Sequence, residues 1–138
     1  MMETVSGEAA KHSYMPDCIV TPEEAGGGRP MPWMCYLNLI KLKTYPACTV
    51  IKVGDTISDI REGLNAGMWS IGVVKGSNEL GLSEEEVNTY DKKKLAAMLK
   101  AVRSRFLASG AHFVIEEIPD LEDLVPIVNK KLLKIRRF

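Results

Sequence analysis

The chain has 138 residues, 46% of them hydrophobic, and its Lys plus Arg and Asp plus Glu balance at 18 each. That is the size of one ordinary domain, 1–138, with enough apolar content to bury a core and no net field toward nucleic acid or an anionic membrane, so a small-molecule ligand is expected instead. The three cysteines, Cys18, Cys35 and Cys48, are odd in number and lack CxxC spacing. They argue against a disulfide framework and a structural zinc site and for a reduced, cytoplasmic chain, and neither a membrane-spanning run nor a secretory leader pattern is seen.

In chain order, the first dozen residues place Met1, Met2, Val5, Ala9 and Ala10 on a rough helical face without a capping residue or preceding strand, as though the chain begins within a larger unit. Asp17 to Thr21 is expected as a short strand, Pro22 to Pro32 as a turn-rich loop containing Gly26-Gly27-Gly28-Arg29-Pro30, and Pro32 to Thr44 as a helix with Trp33, Tyr36, Leu37 and Ile40 on one side. Cys48 to Val53 is β-rich and runs into Gly54-Asp55-Thr56, after which Ile57 to Ala66 reads as a helix stopped by Gly67. Trp69 to Val74 is a buried strand followed by the loop Lys75 to Gly81. Ser83, followed by three glutamates, signals a helix start, and Asp91 to Ser109 a longer helix ending at Gly110. His112 to Ile115 is the last expected strand. An amphipathic helix from Pro119 to Phe138 follows, kinked or interrupted near Pro126 and ending in a basic tail.

This alternation predicts an α/β layer structure with a mostly parallel sheet of about four strands, and ligands at the carboxyl ends of those strands. Asp55 follows an apolar strand directly, and Asp59 lies one helical turn further on, so both can face one site. A magnesium ion takes hard oxygen ligands and keeps several waters, which such a pair suits; the same residues could equally cap the helix and complement its dipole. Arg29, between three glycines and a proline, could present a fixed positive charge to a phosphoryl group or simply occupy a surface loop. Gly76-Ser77-Asn78 could offer backbone N–H groups at the sheet edge, but such loops are common connectors. His12 and His112 lack metal-ligand spacing and are expected at the surface or in packing, and Trp33, Trp69, Met34, Met68 and Met98 in the core.

The stretch Lys52-Val53-Gly54-Asp55-Thr56-Ile57-Ser58-Asp59-Ile60 resembles the fourth motif of the haloacid dehalogenase superfamily, a strand followed by GDxxxD. Its continuation from Glu62 to Val73, together with Gly28 to Tyr36 and Gly76 to Glu86, resembles phosphonoacetaldehyde hydrolases in particular, over the carboxyl-terminal half of that family. The resemblance implies a Rossmann-like three-layer core and a magnesium-dependent hydrolysis of the carbon–phosphorus bond of phosphonoacetaldehyde to acetaldehyde and phosphate. In that family an amino-terminal aspartate attacks phosphorus and a cap-domain lysine forms a Schiff base with the aldehyde. Carried onto this sequence, the resemblance implies that Asp55 binds Mg2+, that Asp59 supports the metal's water shell and the Thr56 region, and that Arg29 is the cation of the third motif.

No aspartate here stands in the first-motif context of an apolar strand ending in Asp-x-Ala-Gly-Thr. The expectation is therefore an incomplete haloacid dehalogenase fold, lacking the first-motif strand and the cap, catalytically inactive by itself, and marginally stable or dependent on a partner. That partner would be a second copy, an amino-terminal fragment or a full-length relative. Two alternatives stand beside this reading: an inactive remnant that binds magnesium or phosphate or serves as an interaction module, and a generic phosphatase or dehalogenase of the same superfamily.

Overall fold

The computed structural model describes residues 15–135. The helix expected over the first dozen residues, His12, and the Arg136-Arg137 end of the basic tail lie outside them. Three strands, β1 (Ile51–Gly54), β2 (Trp69–Val73) and β3 (Phe113–Ile115), form one parallel sheet in the order β1-β2-β3, with Val53 opposite Ile71 and Gly72 opposite Val114. Each crossover is helical, as parallel neighbours require.

Helix α1 (Pro22–Ala25) is a single turn capped by Thr21, whose Oγ1 accepts from the Glu24 N–H at 3.2 Å, and α2 is Trp33–Leu42. Helix α3 (Ile57–Asn65) connects β1 to β2. Two helices, α4 (Glu84–Thr89) and α5 (Lys92–Ala108), lie between β2 and β3, and α6 (Leu121–Ile135) follows β3. The local start and stop signals are realised. Ser83 and Glu86 form a reciprocal capping box, and Asp91 accepts from the N–H groups of Lys93 and Lys94. Past Ala66, Gly67 takes a left-handed φ of 77°, and the Gly67 and Met68 N–H groups close the helix end on the Leu64 and Gly63 carbonyls.

The core has two faces. Ile60, Val74, Val102, Phe106 and Val114 join one side of the sheet to α3 and α5; Ile71, Val73 and Ile115 pack with Leu121 and Leu124 of α6 on the other. A smaller cluster of Cys35, Ala66 and Met68 seats α2 against the end of α3. This is a three-layer, Rossmann-like α/β arrangement with an open sheet: among the described residues β1 has no strand partner on its outer edge. His112 serves packing, its ring 4.9 Å from that of Trp69 and its Nδ1 accepting from the Ser70 N–H at 3.0 Å. Burial lowers its pKa below the ordinary histidine value.

Four expectations are corrected. The sheet has three strands among the described residues, not about four, because Asp17–Thr21 pairs with no strand; Pro16 and Pro22, which have no backbone N–H to donate to a ladder, bracket the run. The Cys48–Val53 strand starts later, at Ile51, since Ala47–Thr49 is a 3-10 turn in which the Thr49 hydroxyl donates to the Pro46 carbonyl. The face of α2 bearing Trp33, Tyr36 and Ile40 is exposed, and Cys35 and Leu39 turn inward instead. Finally, α6 runs through Pro126 without interruption.

Gly63 lets α3 lie close on the sheet: a Cβ there would stand 2.2 Å from Ser70 Oγ and 2.9 Å from the Lys52 Cβ. Helix propensity favours alanine over glycine by about 1 kcal/mol, whereas forcing atoms into a filled contact destabilises by about 1–3 kcal/mol. Gly63→Ala is therefore expected to lower the urea midpoint in spite of its better propensity; a raised midpoint would show that α3 can lift from the sheet freely.

Candidate active site

The carboxyl ends of β1 and β2 meet the loop before α2, and three sequence-predicted residues converge there. β1 ends at Gly54, so Asp55 leaves the sheet directly into the turn that opens α3. Thr56 is the N-cap, its Oγ1 accepting from the Asp59 N–H at 3.1 Å. Asp59 reaches back: its Oδ2 accepts from the Asp55 N–H at 3.2 Å, the Thr56 N–H at 3.2 Å and the Thr56 hydroxyl at 2.9 Å. The capping reading of this pair is realised: Asp59 closes a capping box with Thr56 and thereby shapes the turn that presents Asp55.

Asp59 is 4% exposed and its other oxygen is also engaged. Its Oδ1 accepts from Arg29 Nη1 at 2.8 Å and lies 3.5 Å from Lys52 Nζ. Burial alone would raise this carboxyl's pKa, but the hydrogen bonds from Arg29 and Thr56 and the charge of Lys52 win and hold it below the usual carboxylate range. The same pairing raises the pKa of Arg29. Every acceptor direction of Asp59 is thus committed to protein donors, which makes it the hub of the turn.

Asp55 is different. Its carboxylate is half-buried, and its one protein partner among the described residues is the Asn78 N–H, at 3.4 Å from Oδ2. The Gly76–Asn78 loop therefore reaches the site, although its composition is that of an ordinary connector. An open pocket of about 370 Å³ lies alongside, lined by Pro22, Gly28, Arg29, Met34, Thr56, Ser58 and Asn78. Arg29 is held at its mouth by more than the ion pair, because the Asn65 side chain donates to the Pro30 carbonyl at 2.8 Å and the Tyr36 hydroxyl to the Asn65 carbonyl at 3.3 Å.

Two residues of this cluster were not singled out from the sequence. Lys52, on β1, lies 3.0 Å from Glu62 Oε2, and Glu62 is 1% exposed on the same face of α3 as Asp59. The signal was there: a lysine inside an apolar strand, and a glutamate three residues beyond an aspartate on a helix that packs on that strand. Cys35 is buried beside this group, and burial together with the charge of Glu62 pushes its thiol pKa up to about 11. As a metal centre the site is sparse: no group of three His, Cys, Asp or Glu side chains converges among the described residues. Asp55 is a hard oxygen donor left uncommitted by the protein, which suits an ion that keeps most of its waters.

A parallel α/β sheet with a carboxylate directly after one strand, a second carboxylate closing the following helix turn, and an arginine paired with that second carboxylate defines a Rossmann-like α/β protein with a charged cluster at its strand ends. The resemblance read from the sequence, to the carboxyl-terminal half of phosphonoacetaldehyde hydrolases, is borne out. Phosphonoacetaldehyde hydrolases from Bacillus cereus (strain G9842), Bacillus thuringiensis (strain Al Hakam) and Bacillus anthracis are each 50% identical to it over 135 residues, 98% of this chain and 51% of the relative. The chain thus spans about half the length of the curated relatives it matches. The crystal structure of a phosphonoacetaldehyde hydrolase-like protein from Oleispira antarctica superposes with a TM-score of 0.93 at 32% identity, over 96% of this chain and 48% of that one. A second solved structure, at 17% identity and a TM-score of 0.75, shares the fold over 96% of this chain and 79% of that one. No family model matches the chain.

Asparagine at position 59 keeps one accepting oxygen, but removing the charge strips Arg29 and Lys52 of their counter-ion and replaces the second acceptor with an N–H2 donor. Asp59→Asn is expected to destabilise the chain by about 3 kcal/mol in chemical denaturation. Because the carboxyl's pKa is lowered by folding, its contribution is complete above the unfolded value of about 3.9 and is lost as pH falls through the depressed folded value. The variant should accordingly show a shallower loss of stability below about pH 4; an unchanged acid profile would mean that Asp59 is not the group being titrated.

Proposed function

We propose that this chain supplies the metal-binding and cationic half of a phosphonoacetaldehyde hydrolase site, and that the 138 residues alone do not complete it. The observation that carries the reading is Arg29, fixed on Asp59 at 2.8 Å beside the uncommitted carboxylate of Asp55, in a chain half identical to hydrolases of that name. The substrate would be phosphonoacetaldehyde, with its phosphoryl oxygens toward Arg29 and the pocket. Asp55 would contribute one direct oxygen to Mg2+, and the ion, when bound, would neutralise charge developing on the transferring phosphoryl group. Asp59 would act one step back, keeping the Asp55–Thr56 turn and Arg29 in place.

The nucleophile and the Schiff-base lysine implied by the resemblance have no counterpart in this sequence: the aspartates are Asp17, Asp55, Asp59, Asp91, Asp120 and Asp123, and none stands in the first-motif context. The outer edge of β1, unpaired among the described residues, is where a strand supplied by another segment could add. That edge also favours a second reading, in which the chain is an inactive magnesium- or phosphate-binding module that pairs with an amino-terminal fragment, a full-length relative or a second copy. Three free cysteines fit a reducing, cytoplasmic setting, and no described helix is long and apolar enough to cross a membrane.

The test is phosphate and acetaldehyde release from phosphonoacetaldehyde with magnesium, by the chain alone and after mixing with a separately expressed amino-terminal half of a relative. The expected result is no turnover alone and turnover on mixing, reduced at least about a hundredfold by Asp55→Ala. Turnover by the chain alone would show that some residue here replaces the nucleophile. Failure to recover activity with a folded mixture would favour the binding-module reading.

A further inference from the structure

Two acids lie buried on one face of α3, Asp59 at 4% and Glu62 at 1% exposure, with Lys52 of β1 between them. Burying two like charges on one helix turn is unfavourable unless a cation is shared. Lys52 Nζ stands 3.0 Å from Glu62 Oε2 and 3.5 Å from Asp59 Oδ1. The Glu62 oxygen makes no aligned hydrogen bond among the described residues, so charge and proximity hold it to Lys52.

Arg29 uses the same Asp59 Oδ1, at 2.8 Å, from the opposite situation: its side chain is 46% exposed and lines the pocket. Only Nη1 is engaged, and Nε and Nη2 have no hydrogen-bond partner among the described residues. A carboxylate oxygen drawn by two cations holds each less firmly than it would hold one alone.

We propose that Lys52 is a positioning residue for Arg29: by sharing Asp59 it leaves the guanidinium aimed at the pocket but free to give its charge to an entering anion, while Glu62 sets how much of Lys52 is available for this. The substrate consequence rests on Arg29 being the phosphoryl-binding cation. A lysine serving only to neutralise Glu62 would have no such influence on Arg29.

The two roles separate by sign. In the full chain, the Arg29 Nε–H signal in 15N–1H spectra reports binding of inorganic phosphate, and line-shape analysis of its Nη groups reports rotation about the Nε–Cζ bond. Lys52→Gln keeps a donor for Glu62 but removes the charge; it should slow the rotation and weaken phosphate binding by about three- to fivefold. Glu62→Gln releases Lys52 toward Asp59, and should speed the rotation and tighten phosphate by a similar factor. Effects of the same sign, or none in either variant, would overturn the proposal, since loss of a structural pair lowers the melting temperature without opposing effects on Arg29. If Lys52→Gln does not fold, Glu62→Gln decides alone, because tighter binding and faster rotation are not what a loosened fold produces, and unchanged or weaker binding with unchanged rotation sinks the idea. If the unsubstituted chain shows no response to phosphate, the phosphoryl reading of Arg29 fails by itself, and the rotation rates still decide whether Lys52 positions it.

Discussion

The site depends on one desolvated carboxylate. Asp59 is nearly out of water, and an ion in that condition persists only where all its lone pairs meet donors. Meeting that requirement recruits the backbone of the Asp55–Thr56 turn, the hydroxyl of the N-cap, an arginine from a distant loop and a lysine from the preceding strand. Each recruited group is thereby fixed in space. The position of Asp55, which has almost no protein partners of its own, follows from the demands of its neighbour four residues later.

Close packing makes this economy of space feasible. At Gly54 a Cβ would fall 2.1 Å from the Asp59 Cβ, so the strand end and the helix start touch through a position that tolerates no side chain. Gly63 does the same one helical turn later, over Ser70 and Lys52, while the Ser70 hydroxyl donates to the Ile60 carbonyl at 2.9 Å. The helix that bears the two acids is thus pressed onto the strand that bears their lysine. Greater separation would admit water between them and weaken every charged contact.

What was legible in the sequence was local. The strand–turn–helix around Asp55, the glycine stop at Gly67, the Ser83 capping box and the Asp91 cap all depend on residues within a few positions of one another, and each is realised. Long-range pairing was not legible from spacing. Arg29 and Asp59 are 30 residues apart, and the residues alone left each with a plain alternative; the fold joins them. Lys52 reads as a polar interruption in a strand until the overlying helix shows its two acids. The exposed aromatic face of α2 ran against expectation because apolar character says that a residue can be buried, and not which side of a short helix the neighbouring elements cover.

Helix α3 touches the arginine loop at both of its ends. Its first turn holds Arg29 through Asp59, and its last residue, Asn65, holds the Pro30 carbonyl and in turn receives the Tyr36 hydroxyl. These anchors lie roughly 9 Å apart along the axis. The helix therefore acts as a calliper: tilting it shifts both jaws, and the guanidinium can be misaimed from the far end without any charge being altered. Asn65 is uncharged, exposed and remote from the carboxylates, yet it helps determine the direction in which the positive group points.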